Sequence, residues 1–191
     1  MATKTEIRDG FKFRGGHVAL DLPATLAARL KAQPRDLLQT PHDLARWLVA
    51  AGLAPHVPPA SDADLAFARE LREVLYRLAM ACVDGKRYSA PDRRLLNAYA
   101  AGQPAAPQLD SDGSSRITGD VRALLVSVAR DGVELFGGAL AGHVRQCAGE
   151  TCALLFVDAS RAGGRRWCSM SGCGNKAKVA EFRRRERRDG R

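Results

Sequence analysis

Two close pairs of cysteines near the C-terminus, a series of capped apolar helices before them and two glycine-turned strand signals predict an α+β protein. The expected architecture is a mostly helical N-terminal domain with a small antiparallel β element over residues 1–143. A treble-clef-like metal finger is expected over residues 144–191. The chain has 191 residues and is 46% hydrophobic, enough to bury a core in one domain or two small ones.

Phe11, Phe13, Val18 and Leu20 alternate with other residues around Gly15-Gly16, which predicts a β-hairpin with one buried face. Asp21-Leu22-Pro23 leads into a predicted helix carrying Leu26 and Leu30 and stopping near Pro34. Thr40-Pro41-His42-Asp43 combines a capping hydroxyl, a proline at the first helical position and an acid three residues after the cap. Leu44, Trp47, Leu48 and Ala51 share one face of that helix, and Gly52 ends it. After a proline-rich loop, Ser61 or Asp62 caps a long helix with the stripe Leu65, Ala68, Leu71, Leu75, Leu78 and Cys82. Cys82 on that stripe reads as a small buried hydrophobe. Arg69 and Arg72 stand beside Glu70 and Glu73; most such charges are solvated, and one facing a pocket would hold an acidic ligand.

Ser89-Ala90-Pro91-Asp92 starts a further helix, with Leu95, Leu96 and Tyr99 facing inward. Leu109 and Ile117 flank Asp112-Gly113, a second hairpin signal that could pair with the first. Asp120 then opens what reads as the longest helix, with weak points at Gly132 and Gly137-Gly138. It reaches Cys147 with few residues to spare, so the finger is expected to be tied directly to it. His17, His42, His56 and His143 have no metal-ligand spacing and no evident catalytic partner, and nothing predicts an enzyme.

Cys147-x4-Cys152 and Cys168-x4-Cys173 supply four thiolates as two close pairs, which suits one tetrahedral zinc ion. Leu154–Val157 has strand character, Gly163-Gly164 can turn the chain and Arg165-Arg166-Trp167 leads back, so the pairs are expected at opposite ends of a hairpin. A helix of Lys, Ala, Glu and Arg is expected from Cys173 to Arg188. Four cysteines fill every tetrahedral position, so the metal is structural. Disulfides would need an oxidising compartment. A switch that releases zinc on oxidation stays open, because thiolates are what oxidants attack.

Arg166-Trp167-Cys168-Ser169-Met170 and Cys173-Gly174-Asn175-Lys176 resemble the CGNR zinc-finger family, in which the finger follows an N-terminal ABATE domain. The resemblance implies a stress-induced transcription regulator of bacteria, with an N-terminal domain that is expected to sense a small-molecule ligand or to mediate assembly. The family motif ends in Arg; Lys176 keeps the charge and loses the planar fork. A family pattern of Asp followed by Asn-Thr is kept here as Asp21 and Thr25, with Ala24 in place of the Asn.

Net charge is +9, and residues 161–191 hold eleven Lys/Arg against three Asp/Glu. At 100° per residue, Lys176, Arg183 and Arg187 fall on one line with Arg184 alongside, while Val179 and Phe182 form an adjoining face expected to dock inward. Duplex DNA is the expected partner, contacted by Arg165, Arg166, Asn175, Lys176, Lys178, Arg183, Arg184 and Arg187. The alternative is an RNA- or ribosome-associated zinc protein, for which Phe156 and Trp167 would be the aromatic platforms. One finger has a small footprint, so a homodimer is expected. The N-terminus carries no targeting pattern and no apolar run spans a membrane, so a cytoplasmic protein is expected.

Overall fold

The computed structural model describes residues 6–160 and 162–189. The chain turns back at once. Strand β1 (Ile7–Arg8) pairs antiparallel with β2 (Phe11–Lys12). Asp9 and Gly10 make the turn, at φ 48° and 79°. Two left-handed residues match the twist of a tight hairpin, and Asp-Gly supplies them. The hairpin predicted around Gly15-Gly16 is therefore displaced toward the N-terminus. What was to be its second strand is a short helix, α1 (Val18–Asp21). Asp131 captures that helix: Oδ2 accepts from Ala19 N at 2.9 Å, and Oδ1 lies 2.8 Å from His17 Nδ1. A carboxylate at a helix start satisfies an N–H that the helix itself leaves free.

The predicted helix over Leu26 and Leu30 is replaced by a hairpin. One 3-10 turn covers Pro23–Thr25; then β3 (Leu26–Ala27) pairs with β4 (Arg35–Asp36). Leu30 is exposed, so no apolar stripe exists to bury. Long-range charge decides the conformation instead. Arg29 forks onto Glu73 at 2.6 and 2.9 Å, and Asp36 receives both terminal nitrogens of Arg72 at 2.7 and 2.9 Å.

The remaining helices start where their caps predict. Thr40 and Ser61 each form a reciprocal capping box, opening α2 (Pro41–Ala51) and α3 (Asp62–Val83). Ser89 and Asp120 cap α4 (Ala90–Ala100) and α5 (Val121–Gly137). The longest helix is α3, with 22 residues against 17 in α5. Helix α5 runs unbroken through Gly132, where a Cβ would lie 2.6 Å from Leu75 Cδ2. That glycine is the point of close approach to α3, not a weak point. Between α4 and α5, β5 (Ala106–Leu109) pairs with β6 (Ser115–Thr118), as Asp112-Gly113 predicts. It remains a separate two-stranded ribbon and does not join β1–β2.

Helices α3, α4 and α5 pack together, with α1 and α2 on α3. Trp47, Leu71, Leu75 and Leu125 are fully enclosed in this core. The predicted Cys82 is half-buried at its margin, its sulfur 3.1 Å from the Tyr88 hydroxyl. Asp21 and Thr25 are buried and serve the backbone: Asp21 Oδ1 accepts from Gly15 N, and Thr25 Oγ1 donates to Leu22 O. No helix among the described residues is long and apolar enough to cross a membrane.

Among the described residues, Arg72 is the one buried cation of the helical core. Burial alone would raise the Asp36 carboxyl, but the Arg72 fork and Leu38 N–H outweigh it and hold it below the usual range. Removing Arg72 takes away the closest compensation of Asp36 and leaves it only the Leu38 N–H and Arg69 at 3.6 Å. R72A is expected to lower unfolding free energy by about 3 kcal/mol, with R72K losing less, read from urea midpoints.

Candidate metal centre and basic helix

The first cysteine pair is held by a hairpin, but not the one expected. β7 (Val144–Gln146) pairs with β8 (Leu155–Val157), and Cys147 and Cys152 occupy the loop joining them. The segment Arg165–Trp167 does not pair with β8 as a strand. It is stitched to the loop by Ala148 N donating to Arg166 O at 2.9 Å. Strand β8 finds its partner upstream because Val144, Leu155 and Val157 then complete the main core.

The backbone folds tightly around the sulfurs. Cys147 N donates to Leu154 O, and Cys152 N to Gly149 O, both at 2.9 Å. A Cβ on Gly149 would lie 3.1 Å from Cys152 Cβ, tight enough that Cys152 must give by a few tenths of an ångström, and would touch Cys173 Sγ at 3.4 Å. In the second pair, Cys168 lies just before a π-helical turn, Met170–Gly174, and Cys173 lies within it. Ser169 caps it, its Oγ accepting from Gly172 N at 2.9 Å. Helix α6 (Asn175–Asp189) follows directly. Cys168 N donates to Cys147 Sγ at 3.3 Å, which joins the two pairs.

All four sulfurs lie within 4.8 Å of one another. Cys168 Sγ is 3.9 Å from Cys152 Sγ and 3.7 Å from Cys173 Sγ. Metal–sulfur bonds of about 2.3 Å in a tetrahedron place sulfurs about 3.8 Å apart. A disulfide needs about 2.05 Å, so these are thiols gathered for a metal and not bridged pairs. Cys147 and Cys168 are buried, and the donor set closes the tetrahedron. Hydrogen bonding with Cys152, then burial, pushes the Cys168 thiol far above its ordinary value. Burial, then Cys168, pushes Cys173 up to about 11. A divalent cation replaces the thiol protons.

A side chain with no sequence signal completes the centre. Arg14, almost wholly buried, places Nη1 3.8 Å from Cys168 Sγ. Its Nε lies 2.9 Å from Glu6 Oε2, close enough to pair the charges but not aligned to donate, so that buried N–H lacks an acceptor. Four thiolates around a divalent ion carry a formal charge of about −2, and Arg14 meets it from the N-terminal side. The same face is joined by Val157 N donating to Gly15 O at 2.9 Å. The finger is therefore seated on the helical core, as its short approach from α5 implies.

Among the residues predicted to contact nucleic acid, Arg165 is committed to the finger itself. Its Nε donates to Trp167 O at 2.9 Å, another nitrogen donates to Cys168 O, and its guanidinium lies over the Phe156 ring. Its backbone N–H is bound by the buried Asp158, whose carboxyl is held low first by the Ser160 hydroxyl. Arg166 is exposed over Trp167. Asn175, Lys176, Lys178, Arg183, Arg184 and Arg187 are all exposed on or at the start of α6. Arg184 and Arg185 both pair with Glu181. Val179 and Phe182, expected to dock, stay exposed. The face of α6 turned to the N-terminal domain carries Ala177 and Ala180 instead.

A helical domain closed by a tetrathiolate finger with a cationic terminal helix is the class that fold and site define. Residues 16–139 match the ABATE family, described as a putative stress-induced transcription regulator, and residues 143–186 match the CGNR zinc finger. The chain belongs to the ABATE family, with a CGNR finger at its C-terminal end. No curated protein matches it.

Chelation is expected to remove one metal ion per chain and expose the amides of residues 144–189 to hydrogen exchange, while α3 and α5 stay protected. Replacing the buried cation beside the sulfurs, R14M, is expected to weaken metal binding about tenfold. Competition with a chromophoric chelator measures it, with unchanged far-UV circular dichroism as the control.

Proposed function

We propose that the chain is a DNA-binding regulator whose finger holds zinc and whose α6 lies against a duplex. One observation carries this reading. A helix with Lys176, Lys178, Arg183 and Arg187 exposed starts immediately after the fourth ligand of a closed metal site. The metal fixes where the helix begins, and the helix presents cations at the width a major groove admits. Zinc is favoured by four thiolates in a tetrahedron, with no position left for water. Arg166, exposed over the Trp167 ring, adds a further cation to the surface of the finger.

The RNA reading is less well supported. Single-strand recognition needs exposed aromatic faces, yet Phe156 is fully buried and Trp167 is half-buried in the finger. Regulation by a small molecule sensed in the N-terminal domain belongs to the same reading and follows from the family resemblance.

Duplex binding is expected to weaken with salt at about 0.9 in log K per log salt for each phosphate neutralised, so the four α6 cations alone contribute about −3.6 to the slope and any further contact steepens it. Zinc removal is expected to abolish it. Binding unchanged by chelation, or flat in salt, rejects the finger as the contact. A preference for structured RNA over duplex DNA in direct competition rejects duplex as the target.

A further inference from the structure

Between the N-terminal domain and the finger lies an open cleft of about 920 Å³. Lys12, Lys31 and Arg35 face it from β2 and the β3–β4 hairpin, and Lys176 and Arg184 face it from α6. Glu150 and Glu181 are the acids on its walls. Glu181 is already taken by Arg184 and Arg185. Among the described residues, none of Lys12, Lys31, Arg35 and Lys176 forms an ion pair. Other cations do meet partners, Arg29, Arg46, Arg72 and Arg77 each reaching a carboxylate within 2.7 Å, and what sets the cleft cations apart is that they share one cleft.

Like charges on facing walls repel unless an anion lies between them, and a cleft with protein walls focuses their field. Ala177 and Ala180 on the facing side of α6 are too small to fill the space between the walls, so the cleft is open to a guest. Its volume lies in the range that holds a nucleotide-sized ligand. We propose that this cleft is a phosphate-binding site in which Lys12, Lys31 and Arg35 of the N-terminal domain and Lys176 of the finger grip one anion together. The phosphates come either from the backbone of a nucleic acid strand beside α6 or from a free polyphosphorylated small molecule. The first source rests on the DNA reading above; the cleft itself does not.

The test uses the full metal-loaded chain, the variant K12A/K31A/R35A and the charge-matched control R87A/R93A/R94A, whose residues are exposed and do not line the cleft. The three cleft residues are also exposed and outside the core, so the variant keeps its fold, checked by circular dichroism and metal content. The probes are a random-sequence DNA duplex and tripolyphosphate. The cleft variant is expected to lose about tenfold or more in affinity for at least one probe, with the control within about twofold of wild type. For the duplex, the salt slope becomes shallower by about 2 to 3, at roughly 0.9 per lost phosphate contact. A loss seen with duplex alone assigns the phosphates to the nucleic acid backbone. A loss seen with tripolyphosphate alone assigns them to a small ligand, and a loss with both shows that the two share the cleft.

Equal binding by wild type and cleft variant, equal losses in variant and control, or no binding of either probe by wild type each overturns the proposal. Duplex binding that the cleft substitutions leave untouched, without tripolyphosphate binding, overturns the cleft and leaves the DNA reading standing. Tripolyphosphate capture by a chain that ignores duplex DNA has the reverse meaning.

Discussion

Four sulfur atoms converging on one point hold the C-terminal segment in its shape. The apolar core beneath them is small, with Leu154 and Phe156 joining Cys147 and Cys168 as its buried members. So little buried area cannot offset the entropy of ordering two loops and a helix start. Bound metal supplies the difference, because sulfurs from separate loops become one coordinated unit. The close approach at Gly149, the Ser169 cap and the N–H···S bond from Cys168 each hold the backbone where the sulfurs must meet.

That unit is not an appendage. Val144, Leu155 and Val157 belong to the same buried core as the helices, and Gly15 and Val157 share a backbone hydrogen bond. Arg14 carries the connection into electrostatics, since its charge reaches the sulfur shell from the opposite end of the chain. The orientation of α6 therefore depends on the helical core as well as on the metal. A cationic helix held at a set angle against a cationic wall forms a cleft, whereas the same helix on a flexible tether would present only a solvated face.

The arginines divide by environment and not by sequence context. Arg72 neutralises Asp36 inside the core and fastens the β3–β4 hairpin to α3. Arg165 lies in the basic stretch and yet braces the finger's own carbonyls. Arg183 and Arg187 meet no carboxylate among the described residues and remain available to a polyanion. Charge density in the sequence located the basic stretch correctly, but it did not separate cations that hold the finger from cations that can reach outward. Ala24 likewise reads as a missing polar group and lies instead against the apolar cluster of the finger.

The helix starts at Thr40, Ser61, Ser89 and Asp120, the Asp112-Gly113 ribbon and the gathering of the four cysteines were legible from residues alone. Each depends on partners within a few positions: a cap and its N–H, a turn dipeptide, a cysteine and its neighbour. The first hairpin, the 23–36 segment and the pairing of β8 were not legible, because distant groups decide them: Asp131, Glu73, Arg72 and the apolar faces of α1 and α3. Arg14 and the cleft belong to the same category. Local chemistry is written in spacing, whereas strand partners, the fate of a buried charge and the shape of a gap are set only when remote parts of the chain compete for the same space.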